Sequence, residues 1–254
     1  MTPQGEFAQV AAEDGRAALV SVIAGGPPGA KLLVRADGGT SGGLGDPALD
    51  REALAAAEEL MWAERSELRE LDAVTLFVDV TAPAPRLVVF GAVDYAAALC
   101  RLARAAGWRA FVCDPRSQFA TRARFPDAEE VIAAWPDEAF ARIGGIDRAT
   151  YIAVLTHDPK LDDAALELAL RSDAPYVGAM GSRRAQAHRR ERLLAIGLDE
   201  ELIDRVAAPI GLDLGALTPE ETALSIMAEV VAAKHGHPGG PLTHAVGRIH
   251  EVGV

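Results

Sequence analysis

The sequence predicts an α/β protein: a Rossmann-like parallel sheet flanked by helices, with a smaller N-terminal α+β domain. Three observations carry this. Residues 86–94, RLVVFGAVD, pass from apolar and β-branched residues to a glycine and then to an aspartate at a helix-capping position. A fully buried parallel strand, a tight turn and a crossover helix read this way. Beyond that stretch, apolar runs and helical patterns alternate with short loops, the mark of a parallel sheet covered on both faces. Before it, residues 1–80 have a different texture, with hairpin signals and one long helix.

The first part is expected to run as follows. Ala17–Ile23 is a strand, and the Gly/Pro-rich residues 25–30 are a loop. Lys31–Arg35 is a second strand, and Asp37-Gly38 closes a hairpin. Ser41-Gly42-Gly43-Leu44-Gly45 reads as another loop. Asp50–Leu68 has a helical period, with Leu54, Ala57, Leu60 and Met61 on one face. Val74–Val80 is a strand. Thr81-Ala82-Pro83-Ala84-Pro85 is a short linker, so the domains are expected at 1–82 and 86–236, with a loosely held tail at 237–254.

The second part alternates. Strands are expected at Leu87–Phe90, Arg109–Cys113, Glu130–Ala133, Thr150–Leu155 and Tyr176–Met180. Helices are expected at Asp94–Ala106, Asp137–Ile143, Asp162–Leu170 and Arg183–Ala195, the last strongly basic. Thr218-Pro219-Glu220-Glu221 is a capping box with Pro at the first helical position; its helix runs to Lys234-His235 and stops at Gly236.

Composition narrows the function. Half of the residues are hydrophobic but only 5% are aromatic, so the core is built from Ala, Val, Leu and Ile. The net charge of −12 argues against a nucleic-acid partner, which needs a basic footprint. No apolar run is long enough to span a membrane, and the N-terminus lacks a basic-then-apolar leader. A cytoplasmic location is expected. Cys100 and Cys113 belong to no CxxC and read as buried thiols. No histidines or cysteines are spaced to complete a metal site, and neither a GxSxG elbow nor a Walker A motif occurs.

In a parallel sheet, ligands bind beyond the carboxyl ends of the strands. Four segments therefore form the candidate site. The first turn, Gly91-Ala92-Val93-Asp94, keeps the first glycine of a dinucleotide fingerprint but has Val93 where the second should be. Asp94 offsets the helix dipole and repels a phosphate there. Asp114 lies about twenty residues on, near the position of a ribose-binding acid, and is followed by Arg116. Thr156, His157 and Asp158 set a hydroxyl, an imidazole and a carboxylate at one strand end. Gly178, Gly181 and Ser182 precede a helix that opens on Arg183 and Arg184. Arginines oppose the dipole at that end, so something anionic should compensate: an acidic side chain elsewhere, or a bound phosphate.

Together these segments resemble the XdhC/CoxI family, accessory proteins of xanthine dehydrogenase and related molybdenum hydroxylases. The resemblance is carried by LVVFGAVDYAAAL, VCDPRSQFATRARFPDAEEVI, YIAVLTHDPKLDDAALELAL, YVGAMGSRRAQAHRRERLLAIGL and PIGLDLGALTPEETALSIMAEVVA, with PPGAKLLV in the first domain. It implies a non-catalytic maturation factor. Its cargo would be the molybdenum cofactor (molybdopterin), held by Gly91, Asp94, Asp114, Arg116, Thr156, His157, Asp158, Gly178, Gly181, Ser182, Arg183 and Arg184. Its partners would be an apo molybdenum hydroxylase and a cysteine desulfurase, and a homodimer is compatible with it. Two departures stand out. Val93-Asp94 replace a Gly-His turn, and Leu44 follows Ser41-Gly42-Gly43 where many members carry a cysteine. The competing readings are an NAD(P)-dependent oxidoreductase with a degenerate fingerprint, and a paralogue acting only through protein contacts.

Overall fold

The computed structural model describes residues 1–71 and 73–245. The chain divides into two compact units, residues 1–83 and 84–244.

In the first unit, strands β1 (Ala17–Ala24), β2 (Lys31–Arg35), β3 (Thr40–Gly43), β4 (Glu67–Leu71) and β5 (Val74–Thr81) form one antiparallel sheet in the order β3-β2-β1-β5-β4. Helix α1 (Pro3–Ala12) packs Phe7 and Val10 on one face, against Ala17, Leu19 and Leu33. Helix α2 (Pro47–Ala63) covers the other, where Ala53, Ala57, Leu60 and Met61 meet Ala18, Val20, Val34 and Val78.

Three features here differ from the sequence expectation. Thr40–Gly43 is an edge strand, not a loop: it pairs with β2, and Asp50 on α2 takes the Leu44 N–H at 2.7 Å. Ladder pairing outweighs the weak strand propensity of glycine. The long helix ends at Ala63, because Glu64 turns left-handed (φ 55°) and Glu67–Leu71 joins the sheet. Helix α1 has no strong apolar stripe and leaves no periodic signal; Thr2 caps it by accepting the Gly5 N–H.

The second unit is a six-stranded, wholly parallel sheet. Its strands are β6 (Arg86–Phe90), β7 (Arg109–Cys113), β8 (Glu130–Ile132), β9 (Thr150–Val154), β10 (Tyr176–Ala179) and β11 (Val206–Ala207), in the order β11-β10-β9-β6-β7-β8. Alternate residues serve opposite faces, as the pleat requires. Leu87, Val89, Val112 and Ala153 pack on helices α3 (Asp94–Ala105) and α8 (Pro219–Lys234). Val88, Phe90, Ile152 and Val177 pack on α4 (Pro136–Arg142), α5 (Pro159–Leu170) and α6 (Arg183–Ala195).

Asp94 is the first helical residue of α3 rather than its cap; Val93 holds the cap position without a side-chain bond. Helix α5 starts a turn early, at Pro159, because Asp158 caps it by accepting the Lys160 N–H at 3.0 Å. The short helix α7 (Glu200–Asp204) and the two-residue β11 carry too few residues to show a period. Of the tail, residues 242–244 form one 3₁₀ turn; residues 246–254 lie outside the described residues.

Candidate functional site

Numbered within the second unit, the strands run 3-2-1-4-5-6, the doubly wound order. The direction of winding reverses between β6 and β9, and in such sheets the ligand crevice lies there, beyond the carboxyl ends of the strands. The four expected segments follow β6, β7, β9 and β10, so all lie on this edge.

Gly91 closes β6 with φ +114°, and an added Cβ would stand 3.0 Å from Thr156 N. Its N–H donates to the Cys113 carbonyl at 2.9 Å, which ties the first turn to β7. Asp114 is wholly buried. One oxygen accepts from Ala92 N–H (2.8 Å) and Arg116 Nη2 (2.7 Å); the other accepts from Arg116 N–H (3.0 Å) and Nε (2.9 Å). Four donors occupy the carboxylate's four acceptor positions. Burial works to raise its pKa, but the Arg116 side chain and the Ala92 and Arg116 N–H groups hold it below the ordinary aspartate value. Asp114 thus has no acceptor position left for a ligand and anchors Arg116, whose guanidinium is partly exposed and feels the charge of Asp158.

Arg124, which lies in the VCDPRSQFATRARFPDAEEVI block but is not among the expected site residues, braces the first turn from the long loop after β7. It donates to the Ala92 carbonyl at 2.9 Å and to Asp94 at 3.2 Å. Phe119 in the same loop lies 5.1 Å from the Arg116 guanidinium and 5.9 Å from that of Arg124. The N-terminus of α3 thus carries its own carboxylate and a guanidinium bonded to it. A pyrophosphate would have to displace this pair as well as pass Val93.

Across the crevice, Thr156 is buried and its hydroxyl oxygen accepts the Asp158 N–H at 2.9 Å. His157 and Asp158 are exposed. Gly178 is not at the site surface. It is buried within β10, where an added Cβ would meet Ile210 and the Tyr176 hydroxyl at 2.5 Å, so its role is packing. Gly181 (φ +135°) and Ser182 form the turn into α6, and Ser182 caps the helix by accepting the Ala185 N–H at 3.2 Å.

The basic face of α6 divides in two. Arg192 grips Asp163 through Nε and Nη2 at 2.7 and 3.0 Å. Arg190 pairs with Asp204 and Glu200. Arg189 is buried and donates through Nη2 to Asp162 (3.0 Å) and to the Met180 carbonyl (2.9 Å), so it ties α5 to the β10–α6 turn. Burial pushes the Asp162 carboxyl above its ordinary value despite this ion pair. Asp162 Oδ1 and Arg189 Nε have no hydrogen-bond partner among the described residues. Arg183 and Arg184, by contrast, have no acidic partner among the described residues, and α6 has no acid in its first turn. Asp162-Asp163 on α5 and the arginines three apart on α6 are the sequence signal for the α5–α6 pairing. Only the packing shows which arginines it consumes.

The two thiols face opposite sides of the sheet and are both buried. Burial and the nearby Asp127 charge push Cys100 up to about 12, and burial pushes Cys113 up too. No group of His, Cys, Asp and Glu suited to a metal occurs among the described residues, and no described helix is long and apolar enough to cross a membrane.

Family models described as the XdhC Rossmann domain and as the XdhC and CoxI family match residues 87–230 and 10–72. The chain is 30% identical over 159 residues to a Bacillus subtilis protein named as a probable xanthine dehydrogenase subunit, covering 63% of this chain and 46% of that protein. It is 28% identical over 152 residues to the molybdenum cofactor insertion chaperone PaoD of Escherichia coli, covering 60% and 41%. The chain spans less than half the length of the curated relatives it matches. A crystal structure named as a xanthine dehydrogenase from Bacillus halodurans shares the fold, with a TM-score of 0.54, 19% identity, and 96% of this chain and 98% of that one covered. The Rossmann match alone spans more than half of the sequence, and the chain belongs to the XdhC and CoxI family.

Proposed function

We propose that this chain is an accessory protein of molybdenum hydroxylases that binds the molybdenum cofactor and assists its sulfuration and insertion into the apo-enzyme. Family membership and the relative named as an insertion chaperone support the accessory role. The observation that carries cofactor binding is the division of α6. Its later arginines are matched by acids, whereas Arg183 and Arg184 have no acidic partner among the described residues and stand at the positive end of a helix. That end suits the phosphate of a pterin cofactor. Arg116, Thr156 and His157 then offer polar contacts to the ring, with Asp114 acting through Arg116. Gly91, Asp94 and Gly181 shape the turns, and Asp158 orders α5.

The thiols constrain sulfuration. Both cysteines are buried and held protonated, so neither is suited to carry sulfur. In this reading the sulfur comes from the persulfide of a partner cysteine desulfurase while this chain shields the cofactor. A cytoplasmic homodimer is part of the same proposal.

The doubly wound strand order favours a second reading, an NAD(P) site. The Asp94–Arg124 pair and the saturated Asp114 weigh against it. Calorimetric titration with molybdenum cofactor, NADH and NADPH separates the two. The expected result is cofactor binding that falls at least about tenfold in Arg183→Ala/Arg184→Ala. Binding of a dinucleotide alone would overturn the proposal.

A further inference from the structure

The loop after β7 sets an aromatic ring beside Arg116. Only two aromatic side chains are exposed among the described residues, Phe119 and Trp135. They follow the neighbouring strands β7 and β8, on the carboxyl edge of the sheet. Phe119 is the one whose ring lies against the Arg116 guanidinium. We propose that Phe119 is the platform on which the flat ring of a pterin stacks, with the Arg116 guanidinium bonded to the ring's edge. The inference rests on the reading of this edge as a cofactor site and deepens it by adding the residue that selects the ring.

Phe119 is held in place yet left open. Its N–H donates to the Arg116 carbonyl at 2.9 Å, and its own carbonyl accepts from Thr121 N–H at 3.0 Å and from Arg124 Nη1 at 3.2 Å. With the backbone tied on both sides, 39% of the residue still faces solvent. Arg116 is fixed as well. Its Nε and Nη2 are spent on the buried Asp114, so the guanidinium stays beside the ring, and its Nη1 makes no hydrogen bond among the described residues. A preordered aromatic surface next to a planar donor group suits a heteroaromatic ring, which stacks on the one and accepts hydrogen bonds from the other. The pyrimidinone half of a pterin is flat and carries nitrogen and carbonyl acceptors on its edge. A nucleoside is the poorer match. Its ribose would meet an Asp114 whose acceptor positions are filled, and an attached phosphate would meet the Asp94–Arg124 pair.

The test titrates the full chain with 6-hydroxymethylpterin, adenosine and inorganic phosphate, by calorimetry. Wild type is expected to bind the pterin at least about tenfold more tightly than adenosine. Phe119→Ala and Phe119→Leu should each weaken the pterin by about fivefold or more, the loss of one stacked ring, and leave inorganic phosphate unchanged. Phe119→Trp should keep the affinity and quench the fluorescence of the bound pterin more than wild type does, since it sets an indole against the ring. Leucine keeps an apolar side chain of similar bulk, so the contrast between leucine and tryptophan reads stacking even where the alanine variant fails to fold. No pterin binding in wild type, adenosine bound as tightly as the pterin, or a pterin affinity that survives Phe119→Leu overturns the platform. Molybdenum cofactor titrated in parallel reads the accessory role separately. A Phe119-dependent preference for the pterin while the cofactor fails to bind sinks that role alone; cofactor affinity equal in wild type and Phe119→Leu sinks the platform alone.

Discussion

Among single residues, Asp114 shows how burial and hydrogen bonding redirect a motif. A carboxylate at the end of the second parallel strand suggests a ribose contact, but here the same atoms bind Ala92 and Arg116. Asp114→Asn keeps the shape and removes the charge. At neutral pH it should cost about 1.5–3 kcal/mol of stability, the range for hydrogen bonds to charged groups. The folded carboxyl titrates below its unfolded value. Its stabilisation is therefore complete above the unfolded value of about 3.9 and is lost as pH falls through the folded one. The gap between wild type and variant, measured by urea unfolding, should narrow as pH falls below the unfolded value and close below the folded one. Asp162 has the opposite sign, since its folded value is raised; it is common to both proteins and cancels in the difference. A gap that persists in acid would mean the asparagine disrupts packing rather than charge.

Between elements, α5 and α6 are joined by two ion pairs of different character. Arg189–Asp162 is buried, whereas Arg192–Asp163 is partly open. Arg189→Ala leaves a carboxylate buried alone and should cost about 3–5 kcal/mol, with most of it recovered in Arg189→Met/Asp162→Leu. Arg192→Ala should cost about 1 kcal/mol or less. Thermal unfolding of the four proteins checks the order; equal losses for the two single variants would refute the distinction. Strands and helices were largely legible in the sequence, because β6, β7, β9 and β10 are dense apolar runs and α8 has a capping box that forms as read. The misses share one cause. α1, β3, β4, α7 and β11 are short, polar or glycine-rich, and each is held by a neighbour rather than by its own pattern.

Across the whole molecule, each unit has its own core. Val20, Leu60 and Leu76 belong to one, and Val89, Leu99 and Ile226 to another. We propose on this basis that the regions around 1–82 and 86–236 are independent domains. Fragments 1–83 and 84–254 should each fold, with sheet and helix content by circular dichroism and a cooperative melt; a fragment without a cooperative transition would show that it depends on the other.

The order of amino acids was enough to establish the parallel sheet, the polar turns that follow its strands, and the family. These depend on local apolar density and on ordered blocks such as LTHDPKLDD and GSRR. What each polar residue in those blocks does emerged only with the chain folded. Folding turned Asp114 inward, put Gly178 under Ile210, and matched three α6 arginines with acids while leaving Arg183 and Arg184 without an acidic partner among the described residues. Apolar periodicity is a property of neighbours along the chain, whereas the partner of a charge or a hydrogen bond is chosen by neighbours in space.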